Sequence, residues 1–127
     1  MKITHPPIAV KDDRGQIVDI VEQVDFCYAT IIHSKKDVER GNHYHKQTWQ
    51  YVYLLSGKLR ALSQMPGEKV EDVTINPGDL IENVPNESHA LIALEDSTFL
   101  VLTKGVRGGQ NYEKDTYRLE KPLKSLL

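Results

Sequence analysis

The chain has 127 residues, 27% charged and 39% apolar, the ordinary proportions of a soluble globular protein of one domain. A formal net charge of −2, with tyrosines and a tryptophan not interleaved with basic residues, argues against nucleic acid as a partner. One cysteine excludes an internal disulfide and any zinc site of several thiolates, and neither a secretory signal nor a membrane-spanning run is visible, so a cytoplasmic protein without membrane contact is expected.

Asp12-Asp13-Arg14-Gly15 reads as a turn that opens a first long strand, QIVDIVEQV. CYATIIH follows, with Cys27 as a small packed residue and His33 as a hydrogen-bonded core histidine. Beyond the two histidines of ERGNHYH, strands are expected in WQYVYLLSG, KLRALSQ, KVEDVTI, DLIENV, HALIAL and STFLVLTKG. Ser56-Gly57, Met65-Pro66-Gly67, Asn76-Pro77-Gly78-Asp79 and Val84-Pro85-Asn86-Glu87 punctuate them. No long stretch carries a helical period, and many short strands imply an all-β antiparallel sandwich or barrel. After Gly105 the chain turns polar. Arg107 with Gly108-Gly109 reads as a turn, and the rest is expected to wrap over the barrel or lie near its mouth. The expectation is one domain over 1–127, with a core barrel at about 16–104 and terminal segments packing on it.

Strand parity separates Gln50, Val52 and Leu54 from Trp49, Tyr51, Tyr53 and Leu55. The first set is expected to line the barrel. The aromatic set suits a contact with a second copy, because interfaces favour Tyr and Trp, so a homodimer is expected. Coverage of that face by the N-terminal segment is the alternative.

His43 and His45 share parity, and imidazoles at this spacing can chelate one first-row metal. Gln50 falls on the interior face, and His89 opens an apolar strand after a proline turn. Three histidines and one oxygen donor make a plausible shell for a divalent ion, whether Fe, Mn, Ni or Zn.

In these residues the chain resembles the cupins, small antiparallel double-stranded β-helix (jelly-roll) barrels. Their first motif, G-x5-H-x-H-x3,4-E-x6-G, corresponds to His43, His45, Gln50 and Gly57. The second, G-x5-P-x-G-x2-H-x3-N, corresponds to Gly78, Pro85 and His89. The departures are specific. Gly41 lies too close to His43, Pro85 comes one place late, Asn86 replaces a glycine, Ala93 replaces the final asparagine, and Gln50 replaces the glutamate. A neutral amide is a weaker ligand than a carboxylate and leaves the site one charge more positive.

Arg40-Gly41-Asn42-His43-Tyr44-His45 is similar to the R-G-x-H-x-H segment of cupin-type nucleotide-sugar 3,4-ketoisomerases and to the cupin domain of capsular-polysaccharide sugar reductases. DDRGQIVDI and YEKDTYRL resemble further segments of sugar-modifying cupins, in the same order along the chain. The resemblance implies an isomerase or epimerase acting on a 4-keto nucleotide sugar, by chemistry that needs no metal. His43 or His45 would be the base, a tyrosine (Tyr112 or Tyr117) the acid, and Arg40 a contact for the diphosphate. Tyr44 has the wrong parity for the cavity. With the histidine cluster, the expectation is a small metal-binding cupin related to nucleotide-sugar isomerases and epimerases, and two other readings stay open at this point. One is a metal-dependent cupin, such as an oxygenase, using His43, His45, Gln50 and His89. The other is a ligand-binding or sensing domain without turnover.

Overall fold

The structure, a computed structural model, describes residues 1–105 and 113–127. Its strands are β1 (Lys2–Thr4), β2 (Ile8–Asp12), β3 (Gly15–Val18), β4 (Tyr28–Ser34), β5 (Glu39–Tyr44), β6 (Trp49–Ser56), β7 (Leu59–Gln64), β8 (Glu71–Ile75), β9 (Leu80–Asn83), β10 (Ser88–Ala93), β11 (Ser97–Lys104) and β12 (Tyr117–Arg118). A 3-10 helix, Leu123–Leu126, follows.

Alternation along these strands decides the layering. In β6, Gln50, Val52 and Leu54 are buried, Trp49, Tyr51 and Tyr53 half-buried, and Leu55 exposed, which is the expected parity. In β11, Phe99 and Val101 face the same interior, opposite Leu54 and Val52 in register. Burying such faces requires two sheets. One runs β1-β9-β6-β11-β4 and the other β12-β5-β10-β7-β8, both antiparallel. Successive strands switch sheets, from β4 to β5 to β6 to β7, the connectivity of a jelly roll. The all-β antiparallel jelly-roll barrel expected from the sequence is the observed fold.

An apolar core closes one part of the barrel: Val52, Leu54, Leu59, Ile75, Ile81 and Phe99 pack there, with Ile3 of β1 against them. Gly57 makes the β6–β7 turn at φ +92°, where a side chain would press on Asp96 and Ser97. A second cluster lies on the outside of the β5-containing sheet, where Leu123 is buried against Leu62 and Ala90. The tail is thereby tied to the barrel. Leu119 N–H donates to Asn42 O (2.9 Å), and Leu123 N–H to Asn42 Oδ1 (3.0 Å).

Three local expectations are corrected. The strand expected over QIVDIVEQV ends at Val18, and Gln23 takes a φ of +51°. β3 pairs only with β2, as a two-stranded hairpin separate from both large sheets, so residues 16–18 are no part of the barrel walls. Cys27 is exposed rather than packed. His33 is exposed as well, and its Nδ1 lies 3.0 Å from Thr98 Oγ1. No helix among the described residues is long and apolar enough to cross a membrane.

Candidate functional site

The second half of the barrel interior is polar, and its residues come from both sheets. His43 on β5 and His89 on β10 stand opposite each other in register, and His45 follows the end of β5. The ring centroids lie 4.8 Å apart for His43–His45 and for His43–His89, and 5.4 Å apart for His45–His89. One ligating atom from each falls within 4.8 Å of the others. Gly41 makes this approach achievable. It sits at φ +95° beside an irregularity in the β5–β10 ladder, and a Cβ there would stand 2.7 Å from His89 O. Asn42 follows with φ +58°, its amide donating to Glu39 Oε1 at 2.8 Å.

Backbone carbonyls orient two of the three rings. His45 Nδ1 donates to Asp115 O at 2.7 Å, and His89 Nδ1 to Glu87 O at 3.1 Å. A carbonyl only accepts, so each Nδ1 carries a proton, and in the neutral ring Nε2 is the atom that serves as base or metal ligand. Burial, reinforced by His43 and His45, pushes the His89 pKa down to about 3, so this ring is neutral at physiological pH. Glu87 is held by Asn83 Nδ2 (2.8 Å) and by the Met1 ammonium.

Asp115 grips the other side of the site. Its carboxylate accepts from Thr48 Oγ1 (2.6 Å), Lys46 N–H (2.9 Å) and Gln47 N–H (3.2 Å), fixing the turn after His45. Burial opposes its ionisation, but those donors and the nearby His45 outweigh it and hold the carboxyl below its ordinary pKa.

Beside the histidines lies a cavity of about 230 Å3. Its polar wall is Arg40, His43, Gln50, Asn83 and His89. Ile32, Val52, Leu91, Phe99 and Val101 make the apolar remainder, a surface suited to a small partly apolar ligand. Gln50 is opposite Asn83 on one side and Thr103 on the other. Arg40 is exposed, with Nε 3.2 Å from Ser34 Oγ, so its charge sits where the cavity meets solvent.

The structure thus brings together His43, His45, His89, Gln50 and Arg40. Tyr117 lies elsewhere. It pairs with Tyr44 across β12 and β5, and the rings stack on the outer face (centroids 5.2 Å apart, 16° between planes). Tyr112 and Arg107 lie outside the described residues. Asp115, Thr48 and Asn83 were missed by sequence reasoning. Asp115 had one signal, its place in the DTY stretch of the tail, but nothing local links it to a turn 67 to 69 residues earlier.

No curated protein matches the chain by sequence. Solved structures match its fold. A 3,4-ketoisomerase from Helicobacter canadensis superposes with a TM-score of 0.78 at 19% identity, over 98% of this chain and 96% of that one. QdtA, a sugar 3,4-ketoisomerase from Thermoanaerobacterium thermosaccharolyticum in complex with TDP, gives 0.76 at 20% identity, over 98% and 93%. The RmlC epimerase of Mycobacterium tuberculosis gives 0.77 at 18% identity, over 92% and 67%. At these identities the likeness is one of fold. The family model of the polysaccharide biosynthesis C-terminal domain matches residues 10–117, which include both histidine-bearing strands and the Asp115 clamp, and the chain belongs to that family.

Proposed function

We propose that the protein is an isomerase or epimerase that moves a proton beside the carbonyl of a 4-keto nucleotide sugar. The observation that carries this reading is the pair His43 and His89 on the wall of a cavity edged by one arginine, with carbonyl-anchored His45 buried against both rings. Proton abstraction next to a carbonyl needs a base titrating near neutrality and a donor for the resulting enediolate. His43, the histidine on the cavity wall backed by His45, takes the proton from the carbon beside the carbonyl, and the electron pair moves onto the carbonyl oxygen. Returning a proton to the same carbon on the other face completes an epimerisation; delivering it to the former carbonyl carbon, while the hydroxyl proton of the first carbon passes to the oxygen of the second, completes an isomerisation. His45, with its ring centroid 4.8 Å from that of His43, would exchange that proton with it. The cavity accommodates a sugar ring while the nucleotide stays outside, with Arg40 positioned for the diphosphate. Ligands named for structural neighbours agree: TDP for one and TDP-4-keto-6-deoxyglucose for another. Incubation with TDP-4-keto-6-deoxyglucose, followed by proton NMR, tests the proposal. A new keto-sugar isomer is expected, and an unchanged spectrum at high enzyme concentration would overturn it.

A second reading gives the cluster a divalent first-row ion, whether Fe, Mn, Ni or Zn. It is favoured by three imidazole ligand atoms within 4.8 Å of one another. His43, His45 and His89 would hold the ion and Gln50 would supply a neutral oxygen. A bound ion would polarise a substrate carbonyl as a Lewis acid. Elemental analysis of protein purified without added metal, beside His45→Ala and His89→Ala, separates the readings. Near-stoichiometric metal lost in both variants supports the ion. No metal after incubation with all four leaves the histidines as proton carriers.

The working unit is proposed to be a homodimer. Tyr51, Tyr53 and Leu100 share the outer face of the β6-containing sheet with Ile31, which is 51% exposed. The β2–β3 hairpin presents Ile8, Val10 and Ile17, each about half exposed. A lone two-stranded hairpin is marginal in water, and both surfaces suit burial against a second copy.

A further inference from the structure

On the outer face of the other sheet, behind the histidine strand, is a second cleft of about 380 Å3. Tyr44, Lys46, Gln64, Pro66, Asn86 and Ser88 line it. The mechanism proposed above uses none of these side chains. Tyr44 and Ser88 each precede an inward histidine and so point the opposite way. Gln64 stands opposite Ser88 in the β7–β10 ladder.

The lining is built rather than incidental. Tyr44 is fixed by its stack on Tyr117, and Lys46 Nζ lies 4.3 Å from the centre of the Tyr117 ring. Gln64 Nε2 donates to Glu68 O at 2.9 Å, which orients its amide. Asn86 is held at φ +68° with its N–H on His45 O at 2.6 Å. Each group is therefore pre-organised, which lowers the entropic cost of binding.

The chemistry selects a ligand class. An aromatic ring and a proline offer flat apolar walls of the kind that take the C–H face of a pyranose. Gln, Asn, Ser and Tyr can both donate and accept, matching sugar hydroxyls, which do the same. Among the described residues that line the cleft, Lys46 is the one with a charged side chain. We propose that this cleft is a binding site for an acidic saccharide, with the hexuronate ring against Tyr44 and its carboxylate on Lys46. The site lies on the opposite sheet from the proposed dimer face, so both can be occupied together.

The test is a titration of 15N-labelled full-length protein with sodium glucuronate and with a glucuronate-containing disaccharide, using glucose as the neutral control. Saturable shifts are expected at the amides of Tyr44, Gln64, Asn86 and Ser88, with glucose at least about 10-fold weaker. Lys46→Ala, a change at an exposed side chain, should weaken glucuronate about 10-fold and leave glucose unaffected. Tyr44→Phe should keep binding, and Tyr44→Ala should lose it. His43→Asn, which alters only the central cavity, should bind as the parent does. Absence of saturable shifts, equal affinity for glucose and glucuronate, or shifts confined to the central cavity would each overturn the assignment.

Discussion

In the proposed mechanism His43, His45 and His89 divide the chemistry unequally, and substitution should show it. Replacing His43 by Asn should lower turnover about 10²-fold or more, the usual contribution of a general base, with KM little changed. His89→Asn should cost less under the proton-transfer reading, and as much as the others if a metal is bound. Steady-state kinetics on the three single variants distinguishes these cases. His89 also sets a pH dependence. Its folded pKa of about 3 is below its ordinary 6.5, so the unfolded chain binds the extra proton first. Stability should therefore fall as pH drops below about 6.5 and continue falling toward 3. Asp115, whose pKa is also depressed, adds to the loss in the acid part of that range. Urea midpoints between pH 4 and 7 should show a shallower slope for His89→Gln than for the parent. At Gly41 an added methyl meets His89 O at 2.7 Å in a left-handed backbone, so Gly41→Ala should cost more than about 1 kcal/mol and displace His89. At this scale the histidines were legible because period-two parity and the spacing to Gly57 and Gly78 survive any detail of packing. The same parity rule placed Tyr44 outside. Tyr117 could not be placed, because its register against Tyr44 is set by a long-range pairing that no local pattern encodes.

Among the elements, the tail and the hairpin behave oppositely. The tail grips β5 through Asp115, Leu119 and Leu123, so it belongs to the site's support rather than to a loose wrap. Leu123 is fully buried, and Leu123→Ala should cost about 2–4 kcal/mol in chemical denaturation. Thr48→Val removes one of the three donors on the Asp115 carboxylate. It should lower turnover more than it lowers stability, because the turn after His45 loosens while the core stays packed. Strands β4 and β6 to β11 were legible from strand-forming and turn residues. β1 was not: its three residues are pinned by pairing with β9, not by their own preference. The over-long reading at Gln16 to Val24 has a similar origin. Val18 and Val21 look like strand residues, but only Gly15–Val18 finds a partner, in β2. Asn86 explains one departure from the cupin motif. Its φ of +68° is the conformation for which a glycine is commonly kept, and asparagine tolerates it.

For the molecule as a whole, the apolar hairpin and the outer sheet face predict association. Ile17→Asp changes a residue that is 57% exposed in the single chain, so it should hardly alter a monomer's stability. In a dimer it should raise the dissociation constant about 10-fold or more, as read by sedimentation velocity. Equal behaviour of parent and variant, both monomeric, would remove the dimer from the account. The central claim, proton transfer beside a keto group by His43 and His45, is tested most directly by isotope exchange. The protein would be incubated in D2O with TDP-4-keto-6-deoxyglucose, and deuterium incorporation followed by NMR for the parent and for His43→Asn and His45→Asn. The account predicts deuterium at the carbon beside the carbonyl with the parent protein and a loss of about 10²-fold or more in both variants. No exchange with the parent, or undiminished exchange in the variants, would contradict it.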